Sequence, residues 1–444
     1  MRADLAQRIR SIINQPSQEK TQFAIQIIEA DSGRAVFSYN PHKAMVPASN
    51  MKIITSAAAV KYLGADFEYK TQVGLSGGSL VIIGSGDPLL GDEKTDIKKG
   101  RAVGWVIDDI TEKVRQAGIK EINDIIVDTT VFDDQRVHPN WSENDLNKWY
   151  ASEVCGLNYN GNCIAMTVTN NGGRATITIE PKTSYIKILD RVDIIDKGSE
   201  AVGAYRLIGK ENNLIVKGTV RKQQGPFDVA IERPAGFFGQ LLAERLAQSQ
   251  ITAKGLLKEK GFAGGEFKLL VEYRTPLADV LSRCNKDSFG LTAEALLKTI
   301  AAKQNGGRAG SWAEGQRLAS GYLLSLGISE EEFHIDDGSG LSTENRLSAD
   351  AITKVLLDVY KSENRTLYQD SLSTGGIDGT IGKYFNDDKY KGRIFGKTGY
   401  ISGVKSFSGI CSTDKGDFIF SILTDGGNGQ TRTIMNEIAT AIFE

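Results

Sequence analysis

Histidine is scarce in this chain. Its 444 residues hold three, His42, His138 and His334, each next to proline or in a polar stretch and none in an H-x-x-x-H pattern, so a metal-dependent hydrolase has little to build on. The four cysteines, Cys155, Cys163, Cys284 and Cys411, show no C-x-x-C spacing, which argues against a zinc ribbon. Cys155 and Cys163 flank Asn158-Tyr159-Asn160-Gly161 and suit either a disulfide closing a hairpin or two buried thiols. Net charge is low, −2 with 24% charged residues and no dense Lys/Arg tract, so no field favours nucleic acid as a partner. No apolar run reaches the roughly 18 residues of a transmembrane segment. The start, Met1-Arg2-Ala3-Asp4, opens an amphipathic helix with no hydrophobic signal core; the expectation is a cytoplasmic protein or one whose leader was removed. Gly84-Ser85-Gly86-Asp87-Pro88 lacks the Gly-Lys-Ser/Thr ending of a P-loop. Nothing implies a metal, a nucleotide or an organic cofactor.

What the chain does carry is Ser49-Asn50-Met51-Lys52, a serine and a lysine three apart at the head of an Ala-rich helical run. That spacing puts hydroxyl and amine on one helix face, one turn apart, where a deprotonated lysine can take the hydroxyl proton. Helix N–H groups nearby favour negative charge on oxygen and hold down the lysine pKa. A single Ser-x-x-Lys is more often a capping serine beside a solvated lysine. The second motif changes the odds. Lys397-Thr398-Gly399 lies among strand-like segments, Gly392–Phe395 and Ile401–Cys411 around a Gly-containing turn, then Phe418–Leu423. Such a strand offers ammonium and hydroxyl to a substrate carboxylate, and its glycine lets a substrate backbone come close. The two lysines need opposite states, Lys52 neutral as base and Lys397 charged as carboxylate ligand, so their surroundings are expected to push the two pKa values apart.

At 40% hydrophobic residues the chain buries more than one core, and two to three domains are expected. A helix over Leu5–Ile13 and a hairpin of Phe23–Glu29 and Ala35–Tyr39 precede the Ser49 helix. From about Tyr69 to Tyr273 the texture becomes short strands with Gly, Asp and Asn turns, interrupted by a helix at Gly236–Gln248. Helical periodicity resumes at Pro276–Cys284 and Ala293–Ala302, and Thr431–Phe443 closes the chain as a helix. The predicted fold is therefore α+β and multidomain. Residues 1–68 and 274–444 form a composite catalytic domain with an antiparallel sheet flanked by helices; 69–158 with 223–273 form a first inserted domain, and 159–222 a second, β-rich one.

Read together, these segments resemble the penicillin-binding proteins of the serine D-Ala-D-Ala carboxypeptidase/endopeptidase type with inserted domains, the type-4 or class C low-molecular-mass group. The resemblance runs through most of the chain: Val46–Lys52, Gly84–Pro88, Asp128-Thr129-Thr130-Val131-Phe132-Asp133, Leu157–Asn162, Asn285–Ser288 with Ala293–Lys298, Asp337–Ser342, Gly376–Thr380 and Lys397–Gly399. It implies a β-lactamase/DD-peptidase-like catalytic domain and an extracytoplasmic or periplasmic enzyme. Peptidoglycan stem peptides would be its substrates and β-lactams its covalent inhibitors. By the same resemblance Ser49 is the nucleophile, Lys52 its base and Ser288 a proton relay; Lys397, Thr398 and Gly399 bind the substrate's carboxylate end, and the N–H groups of Ser49 and Tyr400 form the oxyanion hole.

One position departs from the family pattern. Where it has Ser-x-Asn, this chain reads Ser288-Phe289-Gly290, so the asparagine that would hold the catalytic lysine and the substrate amide is missing. Either water or a neighbouring group substitutes, or the site is impaired and the protein serves as a wall-sensing module. A β-lactamase or D-aminopeptidase is the third alternative, without a visible deacylating glutamate. Tyr400 stands where the family has a small polar residue, and Asp337–Gly340 and Asp378-Gly379 read as turns rather than as catalytic parts.

Overall fold

The computed structural model describes residues 2–444. The chain divides into two compact units, one of residues up to Phe67 with Leu277–Glu444, the other Glu68–Pro276. Within the first, Leu277 N–H donates to the carbonyl of Phe67. Within the second, Glu68 pairs with Pro276 at the end of an antiparallel ladder. The insertion thus leaves the first unit and returns to it at neighbouring residues.

The first unit is built on one six-stranded sheet, in spatial order Ser373–Thr374, Ile394–Ile401, Val404–Thr413, Gly416–Asp425, Gln22–Glu29 and Ala35–Tyr39. The N-terminal hairpin joins it because Gln22–Glu29 pairs antiparallel with Gly416–Asp425 along its whole length. Alternation along Gln22–Glu29 sorts the layers. Phe23, Ile25 and Ile27 point to a core shared with Ile9, Ile434, Met435 and Ile438 of the two terminal helices, Arg2–Ile13 and Thr431–Ala441. Gln26 points the other way, its amide on Asp350 of the helix Ala349–Lys361. Burying one such Ile or Phe contributes about 1.5–3 kcal/mol, so both faces of the sheet are fixed. The hairpin turn after Lys397 falls at Ser402-Gly403, and the Lys397 strand runs on through the motif to Ile401.

The second unit holds a mixed five-stranded sheet, Leu257–Glu259, Ile125–Asp128, Ser79–Ile83, Glu68–Ser76 and Lys268–Pro276, and two three-stranded sheets between residues 163 and 230. One hydrophobic cluster, from Val73 through Phe237 and Phe238 to Tyr273, runs beneath them. Gln223–Ala230, expected in the flanking segment, pairs instead with Cys163–Asn171, so the β-rich region extends past 222. The helix Trp105–Gln116 also lies in this unit, burying Val106, Ile107, Ile110 and Val114 at helical spacing. All four cysteines are buried free thiols, which settles Cys155 and Cys163 against a disulfide. Among the described residues no helix is long and apolar enough to cross a membrane.

Candidate active site

Ser49 lies in a one-turn 3-10 helix, Ala48–Asn50, that runs straight into the helix Met51–Leu63. Lys52 is buried in the first turn of that helix, and its Nζ is 3.3 Å from Ser49 Oγ. The same Nζ donates to the carbonyl of Ser339 at 2.7 Å. Burial pushes the Lys52 amine below its ordinary value, against the opposing pull of Cys284, Glu294 and Asp337. A lysine that would be a cation in water is therefore biased toward the neutral base that proton transfer needs.

The Lys397 strand approaches the serine edge-on. A Cβ on Gly399 would stand 2.8 Å from Ser49 N and 2.9 Å from the carbonyl of Pro47, so only glycine permits this approach. Ser406 Oγ donates to the same Pro47 carbonyl, and Asn50 Nδ2 donates to Ser408 Oγ at 2.6 Å. The Ser49 turn is pinned to the sheet by both contacts. Gly340 does the same from the other side, at φ +80° against Ala48 and Met51.

Ser288 stands between the helices Leu277–Lys286 and Gly290–Gln304 at φ +58°. Its Oγ accepts from Lys397 Nζ at 2.8 Å, and that amine also donates to the carbonyl of Thr398. Thr398 Oγ1 in turn donates to Thr380 Oγ1 at 2.9 Å. Ser49, Lys52 and Ser339 thus form one cluster and Ser288, Lys397, Thr398 and Thr380 another, joined by the Gly399 strand at Ser49. Tyr400 follows, 69% exposed with Lys405 over its ring.

One expectation changes, and a second observation bears on position 290. Lys397 is the more strongly depressed lysine, pushed well down by burial and then by the charge of Lys52 and of Arg432, with Cys284 opposing; its surroundings disfavour the cation rather than favour it, and a substrate carboxylate would pull the other way. Gly290 opens its helix with ordinary backbone, outside the left-handed region, so nothing in its φ demands glycine. Sequence reasoning also missed contributors. Arg432 Nη2 donates to the Gly399 carbonyl at 3.1 Å, and Thr380 and Ser339 come from segments that read as turns.

Known proteins share this chain's sequence and fold. A D-alanyl-D-alanine carboxypeptidase of an Actinomadura species is 25% identical, with 99% of this chain and 85% of that protein covered. The D-alanyl-D-alanine carboxypeptidase DacB of Haemophilus influenzae is 26% identical over 87% of this chain and 81% of its own. Among solved structures, penicillin-binding protein 4 of Haemophilus influenzae superposes with a TM-score of 0.81 at 22% identity, covering 99% of this chain and 98% of that one. A predatory peptidoglycan endopeptidase of Bdellovibrio bacteriovorus matches at 0.54 and 16% identity, over 95% and 92%. These likenesses at low identity establish the fold, an α+β arrangement shared with such peptidases. The sequence pattern of the D-Ala-D-Ala carboxypeptidase 3 (S13) family matches residues 5–443, and with nearly every residue inside that match the chain belongs to this family of serine-type hydrolases.

Proposed function

We propose that this enzyme cleaves D-alanyl-D-alanine termini or D-alanyl cross-links of peptidoglycan stem peptides through an acyl-enzyme on Ser49, and that β-lactams acylate the same hydroxyl. The observation that carries the reading is the 3.3 Å approach of a buried, pKa-lowered Lys52 to Ser49 Oγ. Lys52 takes the hydroxyl proton as Ser49 Oγ bonds to the carbonyl carbon of the penultimate D-alanine. The N–H groups of Ser49 and Tyr400 receive the oxyanion. Collapse breaks the C–N bond, and the proton taken up by Lys52 is relayed through Ser288 to the departing amine, while Lys397 keeps its own and steadies Ser288 Oγ at 2.8 Å. Water then attacks the ester, losing a proton to Lys52, which delivers it to Ser49 Oγ as the acyl–oxygen bond breaks. Lys397 and Thr398 hold the terminal carboxylate, with Gly399 leaving room for the substrate backbone and Tyr400 at the exposed edge.

Peptide substrates of this class lie outside the cytoplasm, which supports an extracytoplasmic site of action. We assign 1–68 and 274–444 to the catalytic domain and residues between to inserted domains, the β-rich one centred on 159–222. The test is gel labelling with a fluorescent penicillin beside hydrolysis of diacetyl-Lys-D-Ala-D-Ala. Labelling with release of D-alanine, both lost in Ser49→Ala, is the expected result; labelling retained in Ser49→Ala overturns it. Gly290 favours one second reading, a wall-sensing module, and absence of labelling in the wild-type chain would support it.

A further inference from the structure

The missing asparagine at position 290 leaves the anchoring of Lys52 to something else, and the structure contains a built alternative. Lys52 Nζ donates to the Ser339 carbonyl at 2.7 Å, and Thr55 Oγ1, on the same helix, donates to the preceding carbonyl, that of Gly338, at 2.7 Å. The N–H groups of these two residues point the opposite way. Gly338 N–H donates to Glu294 Oε2 at 2.9 Å and Ser339 N–H to Oε1 at 2.7 Å. One stretch of backbone therefore bridges the nucleophile helix, through its carbonyls, to a single carboxylate, through its N–H groups.

Glu294 is well suited to that task. It is fully buried, and Trp312 Nε1 donates a third hydrogen bond to Oε2 at 2.7 Å. It lies four residues after Gly290 in the same helix, on the same face and one turn along. The loop is closed from its other end by Asp337, whose carboxylate accepts from Gly340 N–H, Ser342 N–H and Asn345 Nδ2. A side chain at 290 and a carboxylate at 294 are thus alternative ways for one helix to govern the lysine.

We propose that Glu294 is a positioning residue for acylation: it holds the peptide 338–339 so that the Ser339 carbonyl fixes the Lys52 amine against Ser49, in place of an asparagine at 290. The inference rests on the reading of Ser49 and Lys52 given above. It accounts for an intact lysine–serine pair in a chain whose second motif is incomplete. The titratable groups facing Lys52 are Cys284 on the preceding helix, a buried thiol, Glu294, Asp337 on the loop and Lys397 on the sheet. Removing Glu294 subtracts one anion from that set and loosens the carbonyl.

The experiment measures acylation by a fluorescent penicillin across pH in the full chain. Wild type must label and Ser49→Ala must not; failure there refutes the proposed function and not this inference. Given that control, Glu294→Gln keeps the side-chain shape but cannot accept from both backbone N–H groups. Its plateau rate is expected to fall about tenfold or more, and its ascending pH limb to move to lower pH because an anion near Lys52 is gone. Adding Gly290→Asn to that variant is expected to restore the rate to within about threefold of wild type. Gly338→Ala supplies a second route should Glu294→Gln fail to fold, since the added Cβ would stand 2.8 Å from the carbonyl of Ala293 and 3.2 Å from Glu294 Oε2; it too is expected to slow acylation and to be rescued by Gly290→Asn. A wild-type rate in the variants, an unmoved pH limb in Glu294→Gln, or a loss that Gly290→Asn does not restore overturns the proposal.

Discussion

Lys397 Nζ donates to Ser288 Oγ over 2.8 Å, and it reaches a serine whose backbone stands at φ +58°. Left-handed backbone costs a non-glycine residue about 1–2 kcal/mol, and such strain persists only where neighbours impose it. Here they do. Arg283 pairs with Asp287 at 2.8 Å and stacks on the ring of Phe289, clamping the residues on both sides of Ser288.

Two variants separate that strain from the hydroxyl. Ser288→Ala removes the hydroxyl and keeps the strained Cβ, whereas Ser288→Gly removes both. The glycine variant is expected to be the more stable by about 1 kcal/mol in urea unfolding, with acylation slowed equally in the two. Equal stability would show that the turn imposes no cost on serine.

The lysines differ in how their substitutions should read. Lys52→Arg is expected to abolish acylation, because guanidinium stays protonated at working pH. Lys397→Arg should keep part of it. In the wild type, both amines sit below the ordinary lysine value of about 10.4, with opposite consequences. Acylation should climb as Lys52 loses its proton, while affinity for a carboxylate-ended peptide falls as Lys397 loses its own. Measured across pH, KM for diacetyl-Lys-D-Ala-D-Ala should rise on the alkaline side in wild type and stay flat in Lys397→Arg. A flat wild-type KM would mean that Lys397 does not bind the carboxylate as ammonium.

Much of this site was legible in the sequence because its parts are local. Ser49 and Lys52 share a helix face, Lys397, Thr398 and Gly399 share a strand, and the period-2 pattern of Phe23–Glu29 places the N-terminal hairpin in a sheet. Other parts depend on chain segments that meet only in the fold. Glu294 and Ser339 are 45 residues apart, and turn-forming sequences disguised the 337–340 loop and Thr380. Arg432 reads as one polar residue in an amphipathic helix. The helix Trp105–Gln116 was hidden in a region rich in turn residues, although Val106, Ile110 and Val114 are spaced at helical intervals. Gln223–Ala230 begins Gln-Gln-Gly-Pro, which offers little alternation from which to read a strand.

The close approach of the sheet to Ser49 gives a sharper test of geometry. Gly399→Ala would push its Cβ toward Ser406 Oγ, Ser49 N and the Pro47 carbonyl. Two of those three atoms are backbone and cannot rotate away. Displacing Ser49 by about 1 Å is expected to slow acylation about a hundredfold, with a smaller loss in melting temperature. Wild-type acylation in this variant would place the strand farther from Ser49.

Glu294 should leave a mark on stability as well as on rate. Burial, and next the charge of Asp337, push its carboxyl up to about 7 in the folded chain, against about 4.3 when exposed. A raised acid binds its proton more tightly when folded, so its contribution to stability is fully present below the unfolded value and is lost as pH rises through the folded one. Between about pH 4.3 and 7 the wild type should therefore lose stability relative to Glu294→Gln, which does not titrate. Melting temperatures of the two chains, taken side by side at each pH, cancel the titrations of every group that does not feel Glu294. The ionised form is the one able to accept all three N–H bonds, from Gly338, Ser339 and Trp312, so the charge that holds the loop is the charge that costs stability. A melting-temperature difference that stays constant from pH 4.3 to 7 would mean that Glu294 is not raised, and that its carboxylate is held at no cost to the fold.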